Sequence, residues 1–118
     1  LEAAVGALST TGAVPIAVHA DGEARAPEPV ERAAYFVVAE AVANATKHGA
    51  PTAIDVTLDR DEDELLVQVR DDGHGGANAQ GPGLMGLRAR TEALDGVLTV
   101  SSPAGGPTTV AARFPCVS

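Results

Sequence analysis

The chain has 118 residues with 45% hydrophobic content, which suits one globular domain with its own core and argues against a disordered segment. Its formal net charge of −8 argues against nucleic-acid binding and against docking on an anionic membrane, and no apolar run approaches the roughly 20 residues that span a bilayer. Because Cys116 is the only cysteine, no internal disulfide can form, and we expect a reducing, cytoplasmic compartment.

The first half of the chain predicts a short helix, a strand and a long helix. Apolar residues recur at helical spacing over residues 1–9 and then alternate over Val14–His19, as they do in strands. Prolines and acidic residues at 27–29 are typical of a helix start. We expect this helix to run from about Glu28 to His48 and to stop at Gly49.

The second half predicts two strand pairs separated by a glycine-rich loop and a shorter helix ending near Gly96. The predicted segments are the strands Ile54–Leu58, Leu65–Val69, Val97–Ser101 and Thr108–Phe114, the loop 73–83 and the helix Leu84–Leu94. An acidic hairpin joins the first two strands. This order predicts one α+β domain over residues 1–118, a two-layer α/β sandwich with a mixed sheet and its helices on one face.

Four polar residues fall within an arc of roughly 100° on the long helix, at 3.6 residues per turn: Glu40, Asn44, Lys47 and His48. The amide oxygen of Asn44 suits Mg²⁺, and the carboxylate of Glu40 could orient a metal-bound water or a nucleophile. Lys47 and His48 can donate hydrogen bonds to phosphate oxygens. The alternative is a solvated face whose two basic residues complement the helix dipole.

A second candidate feature is the acidic turn that follows the predicted strand Leu65–Val69. Asp71 closes a strand and precedes Gly73 and Gly75. A carboxylate there can accept a hydrogen bond from the exocyclic amine of adenine, and glycines let a base approach the backbone. Asp72 is expected to hold a bridging water or to face solvent. An ordinary Asp-Gly turn is the alternative.

A third feature is the turn Gly81-Pro82-Gly83, which leads straight into a helix at Leu84. Backbone N–H groups at a helix start favour anions, so this turn is a plausible phosphate cradle. The sequence contains neither the Gly-Lys-Ser/Thr of a P-loop nor the strand–turn–helix setting of a dinucleotide fingerprint. The three features together favour an ATP site.

In order and spacing, these motifs resemble the asparagine box and the two glycine boxes of the ATP-binding (HATPase) domain of sensor histidine kinases. The likeness is to the nitrate-sensor type, within the GHKL or Bergerat superfamily shared with gyrase and MutL-type repair proteins. It covers nearly the whole chain. The matching pieces are Val30-Glu31-x-Ala33-x-Tyr35, Glu40-Ala41-x-x-Asn44, Lys47-His48-Gly49, Asp71-Asp72-Gly73-x-Gly75 and Gly83-Leu84-x-Gly86-Leu87-x-x-Arg90.

The resemblance implies a role for each motif and a Bergerat fold. Asn44 would bind Mg²⁺, Asp71 would read adenine, and Glu40 and Lys47 would be the catalytic residues. A short ATP lid would span Ala77–Pro82. The residues implied in ATP binding are Asn44, Lys47, His48, Asp71, Gly73, Gly75, Gly81, Gly83, Leu84 and Gly86.

Two departures from the family pattern are visible. Pro107 stands where relatives commonly have a glycine, which affects the geometry of that turn. The chain also lacks the helical hairpin that carries the phosphorylated histidine, and it starts at Leu1 rather than Met. We therefore expect a fragment of a longer two-component kinase, with the hairpin upstream, that does not autophosphorylate on its own.

The partners implied are the histidine-bearing dimerisation domain of the same kinase and, through the whole kinase, a response regulator. No contact with nucleic acid or directly with a membrane is expected of this domain, although the parent kinase could be membrane-anchored. Two alternatives are a stand-alone serine kinase of the anti-sigma-factor type, which carries the same boxes, and a non-catalytic nucleotide-sensing module.

Overall fold

A computed structural model describes residues 14–21, 26–49, 51–76 and 82–116. The helix predicted over residues 1–9, Gly81 and most of the predicted lid lie outside these residues. In chain order the elements are β1 (Ile16–Asp21), α1 (Glu28–Asn44) with a π-helical turn (Ala45–Gly49), β2 (Ile54–Arg60), β3 (Glu64–Asp71), α2 (Pro82–Glu92), β4 (Val97–Ser101) and β5 (Thr108–Pro115).

The five strands form one mixed sheet in the order β1-β2-β3-β5-β4. β1 runs parallel to β2, and the other neighbours are antiparallel. Alternate residues of the strands are buried, so the sheet has one apolar face: Ile54, Val56, Leu58, Leu65, Val67, Val69, Leu98, Val110, Ala112 and Phe114. The opposite face carries exposed polar residues such as Asp55 and Arg70.

Both helices cover the apolar face of the sheet: α1 contacts β3 and β5, and α2 contacts β4 and β5. The side of α1 that meets the sheet is made of small and β-branched residues: Val30, Ala33, Ala34, Val37, Val38 and Ala41. Alanines let the helix approach closely, and each valine fully buried contributes about 1.5–3 kcal/mol. The predicted two-layer α+β fold with helices on one face is confirmed. Within the described chain, neither helix is long and apolar enough to cross a membrane.

The long helix differs from the prediction in its last turn. The α-helix ends at Asn44 rather than His48, and the chain continues as a π-helical turn to Gly49. The hydroxyl of Thr46 donates to the carbonyls of Val42 (3.1 Å) and Ala43 (3.0 Å), so it competes with the backbone for those acceptors. Lys47 therefore does not follow the 3.6-residue spacing from which its position was predicted.

The predicted acidic hairpin is present between β2 and β3. The Asp61 carboxylate accepts hydrogen bonds from the amides of Asp63 and Glu64, both at 2.8 Å. These bonds, with that from Glu64 the larger influence, hold the pKa of Asp61 below its ordinary value. The hairpin is thus closed by a charged side chain as well as by the strand ladder.

Candidate functional site

Asp71 occupies the last position of β3 and is 4% exposed. Its Oδ1 accepts a hydrogen bond from the amide of Gly73 at 2.9 Å. The strand register places its backbone opposite Ile54 of β2 and Thr108 of β5. A carboxylate has about four acceptor positions, so Asp71 can keep the bond to Gly73 and accept another from a ligand amine.

Asp72 has a different environment from its neighbour. Its carboxylate accepts hydrogen bonds from the amides of Thr52 (2.7 Å) and Ala53 (3.0 Å) and from the Thr52 hydroxyl. The bond from the hydroxyl is the main reason that the pKa of Asp72 is lowered, followed by that from the Ala53 amide. Asp72 therefore joins the end of β3 to the residues just before β2. Thr52 and Asp72 are 20 residues apart in sequence, and no local motif predicts that they are in contact.

The glycines after Asp71 pack against the connection between β4 and β5, residues 102–107, which we term the β4–β5 turn. Gly75 has φ +70°, and a Cβ there would overlap the carbonyl oxygen of Pro103 and lie 2.7 Å from the amide nitrogen of Gly106. Gly73 is buried. The close backbone approach explains why Gly75 has no side chain; its expected contribution to a base pocket remains a prediction.

A groove of about 430 Å³ runs between the two helices. Its walls combine the side of α1 that faces away from the sheet with the first three turns of α2: Phe36, Ala39, Glu40, Ala43, Gly83, Gly86, Leu87 and Arg90. The Glu40 carboxylate lies 3.1–3.3 Å from the position that a Cβ of Gly83 would occupy. Gly83 thus lets Glu40 lie against the N-terminal turn of α2, where backbone N–H groups favour negative charge.

The other predicted site residues lie at the C-terminal end of α1, in the π-helical turn and on α2. Asn44 is half-buried at the last position of α1, and Lys47 is exposed in the π-helical turn. For His48 only the backbone is described. Leu84 is 4% exposed and belongs to the core, while a Cβ at Gly86 would meet open space. Leu84 can therefore serve a ligand only through its backbone.

The donor chemistry around Asn44 bears on whether Mg²⁺ fits. Within the described part of the chain, no group of three His, Cys, Asp or Glu side chains could hold a metal. Mg²⁺ at nucleotide sites commonly takes one or two protein oxygens and completes its octahedron with phosphate oxygens and water. A single amide oxygen at Asn44 fits that pattern and does not fit a metal held by protein alone.

Sequence reasoning missed the contact between Arg90 and Phe36. The Arg90 guanidinium lies 4.4 Å from the centre of the Phe36 ring, a cation–π contact between α2 and α1. Arg88 donates instead to the carbonyl of Leu98 at 3.1 Å, which fixes α2 on β4. The two arginines thus have protein partners, and nothing in their local spacing indicates which residues these are.

Comparison with known proteins gives relatives of one kind. The chain is 35% identical over 74 residues to the signal transduction histidine-protein kinase/phosphatase UhpB of Salmonella typhimurium, covering 60% of this chain and 15% of that protein. It is 37% identical over 83 residues to the nitrate/nitrite sensor protein NarQ of Escherichia coli, covering 66% and 15%. The chain therefore spans only a small part of the length of these relatives.

Solved structures share the fold. The histidine kinase domain of the Erythrobacter litoralis EL346 blue-light activated histidine kinase matches 98% of this chain and 57% of its own, with a TM-score of 0.71 and 24% identity. The Acinetobacter baumannii histidine kinase AdeS matches 99% and 63%, with a TM-score of 0.73 and 14% identity. At these identities the likeness concerns architecture alone.

The family model for histidine kinase-, DNA gyrase B- and HSP90-like ATPases matches residues 30–118. That span contains α2, all but the first two residues of α1, the groove between the helices and the loop after Asp71. The names of its sequence relatives include signal transduction histidine-protein kinase/phosphatase, sensor histidine kinase and nitrate/nitrite sensor protein. On this evidence the chain belongs to the histidine kinase-, DNA gyrase B- and HSP90-like ATPase family and is a domain of the sensor histidine kinase type.

Proposed function

We propose that this domain binds Mg·ATP and donates the γ-phosphate to a histidine on a separate dimerisation domain of a longer sensor kinase. The observation that carries the proposal is the Asp71 carboxylate, buried at a strand end, oriented by the Gly73 amide and still able to accept a bond from an adenine amine. The sensor histidine kinases among the sequence relatives support histidine as the residue that accepts the phosphoryl group.

In this proposal the polar end of α1 and the start of α2 receive the phosphates. Asn44 would hold Mg²⁺, which when bound would neutralise charge on the phosphate oxygens. Lys47 and His48 would donate to those oxygens. Gly81, together with Gly83 and Gly86 at the start of α2, would cover them, and residues 77–82 would act as a short lid.

Transfer itself would require little covalent chemistry from this chain. The bond from the γ-phosphorus to the ADP oxygen would break as the unprotonated ring nitrogen of the histidine bonds to that phosphorus, and the proton on the other ring nitrogen would leave to a base. Positioning and charge stabilisation carry most of the catalysis in such reactions. Glu40, half-buried beside Gly83, is the carboxylate that we propose accepts the proton or orients the nucleophile.

The acceptor histidine is proposed to lie outside this chain. Two of the three histidines have described side chains: His19 is exposed on β1 with Asp55 3.4 Å away, and His74 is exposed in the loop after Asp71. Neither lies in a helical hairpin. The partner would be the dimerisation domain of the same kinase, which would pass the phosphoryl group to a response regulator in the cytoplasm.

Calorimetric titration with ATP tests the proposal, with and without Mg²⁺. The wild type is expected to bind ATP, and Mg²⁺ is expected to strengthen binding. Asp71→Ala should weaken it by about 10-fold or more, because a buried hydrogen bond to a charged group contributes roughly 1.5–3 kcal/mol. Asp55→Ala, which removes an exposed carboxylate from the outer face of the sheet, is the matched control and should bind as the wild type does.

Three results would contradict the proposal. Absence of ATP binding by the wild type would exclude a nucleotide site in this domain. Equal ATP affinities for the wild type and Asp71→Ala would show that a residue other than Asp71 contacts adenine. Binding without transfer to an added histidine-bearing dimerisation domain would favour a nucleotide-sensing module.

A further inference from the structure

The β4–β5 turn is joined to the loop after Asp71 by two backbone hydrogen bonds. The amide of Gly76 donates to the carbonyl of Ser102 at 3.1 Å, and the amide of Gly105 donates to the carbonyl of His74 at 2.7 Å. Each segment thus satisfies backbone groups of the other. A shift of the turn would break these bonds unless the loop moved with it.

Two glycines make this contact close. A Cβ on Gly106 would overlap the carbonyl oxygen of Gly73, and a Cβ on Gly75 would overlap that of Pro103. The atoms that would be overlapped are backbone atoms, which cannot turn away as a flexible side chain can. The separation of turn and loop is therefore set by the absence of side chains at these two positions.

Gly73 connects this contact to Asp71. Its carbonyl oxygen faces Gly106, and its amide donates to Asp71 Oδ1 at 2.9 Å. Because both groups belong to one residue, displacing the carbonyl also displaces the N–H that orients the carboxylate. The register gives a second connection, since Asp71 pairs with Thr108, the first residue of β5 after the turn.

We propose that the β4–β5 turn is a positioning element for base recognition. In this inference the backbone of Gly106 fixes the place of Gly73, and Gly73 in turn aims the Asp71 carboxylate at the exocyclic amine of adenine. The inference rests on the proposed function, because it takes adenine as the ligand of Asp71. Gly106 is then a positioning residue that governs which base is preferred.

The chain offers a matched pair of variants for the test. Gly106 has φ +77° and Gly105 has φ +92°, so alanine is strained at either position, but a Cβ at Gly105 would have nothing within 4 Å. Gly106→Ala should bind Mg·ATP about 10-fold more weakly or worse, since a misplacement of about 1 Å can cost as much as 10²-fold at a site. The ratio of its affinities for Mg·ATP and Mg·GTP should be smaller than in the wild type. Gly105→Ala adds comparable backbone strain without the overlap on Gly73, so it should lose less affinity than Gly106→Ala and keep the preference for Mg·ATP.

Affinities are measured by calorimetry well below the melting temperature of each variant. A lower affinity then reflects a displaced Asp71 carboxylate and not a smaller fraction of folded protein. Equal affinity and base preference in Gly106→Ala and Gly105→Ala would overturn the inference and leave the proposed function intact. If the wild type binds no adenine nucleotide, the proposed function fails, and the inference fails with it.

A measurement on the wild type decides the matter if Gly106→Ala does not fold. Saturating Mg·ATP should slow hydrogen exchange at the Gly105 amide, because that N–H bonds to the loop whose position the nucleotide fixes. The Glu64 amide, bonded to Asp61 at the opposite end of β3, is the internal reference and should not change. Exchange at Gly105 that is unaltered by bound nucleotide would overturn the inference.

Discussion

At the residue scale, we expect Glu40 to act in turnover and not in nucleotide affinity. Its carboxylate lies against Gly83 in the first turn of α2, the turn proposed to receive phosphates. Glu40→Gln removes the charge and the proton acceptor but keeps the size of the side chain. We expect transfer to an added histidine-bearing domain to fall by about 10²-fold or more, the contribution typical of a general base.

The affinity for Mg·ATP should not fall in Glu40→Gln, because a carboxylate near phosphates repels them. Phosphotransfer assays and calorimetry on the same preparation separate the two effects. Glu92→Gln, at the exposed opposite end of α2, serves as the control for loss of one negative charge. A variant that transfers normally but binds ATP poorly would assign Glu40 to binding.

At the element scale, Asp95 and Gly96, which follow α2, have different structural roles. Asp95 takes the positive φ of 61° that closes the helix, and the amide of Gly96 donates to the carbonyl of Thr91 at 2.9 Å. A Cβ on Gly96 would lie 2.6 Å from the carbonyl oxygen of Arg113 in β5. Gly96 is therefore required by packing against the sheet, whereas its expected role was to end the helix.

Gly96→Ala should consequently lower the free energy of unfolding by about 1–3 kcal/mol, the usual range for overpacking. Gly86→Ala, within α2 itself, is the comparison, because a Cβ there would meet nothing within 4 Å. It should raise the free energy of unfolding by up to about 1 kcal/mol through helix propensity. Urea unfolding measures both, and a Gly96→Ala domain as stable as the wild type would contradict the packing argument.

Hydrophobic periodicity and turn residues predict most of the described strands and helices well, because each of these patterns is contained in a stretch of about ten consecutive residues. The order of the motifs also indicates the ATPase family. The π-helical turn after Asn44, the bonds from Asp72 to Thr52 and the contact of Gly75 with Pro103 depend on partners that a local pattern does not contain. The Arg90–Phe36 contact was missed for the same reason.

At the scale of the whole molecule, two carboxylates accept hydrogen bonds that connect β2 and β3 at the two ends of this strand pair. Asp61 closes the hairpin, and Asp72 bonds to the residues that precede β2. Both have a pKa below the ordinary value in the folded state. The unfolded chain therefore binds more protons as the pH falls below about 4, the ordinary range of aspartate. Their contribution to stability is present above that pH and is lost as the pH falls through their folded-state pKa values.

We accordingly expect the free energy of unfolding to fall with acidification below about pH 4, and to fall less steeply in Asp61→Asn and in Asp72→Asn. Urea unfolding from pH 3 to 7 gives these slopes. Glu62→Gln, an equal change of charge on an exposed side chain in the same hairpin, is the control. Slopes in the two aspartate variants that equal those of the wild type and the control would show that these hydrogen bonds do not govern acid stability.

The β2–β3 hairpin also offers a practical attachment point. β3 has eight residues and ends at Asp71, so a group attached at Glu62 would sit about 25 Å from the proposed base contact. Glu62 is exposed, whereas the bonds that close the hairpin are made by Asp61. A fluorophore or an affinity tag placed there would lie at the end of β3 opposite Asp71, so the domain could be immobilised or followed optically with the proposed nucleotide end open to ligand.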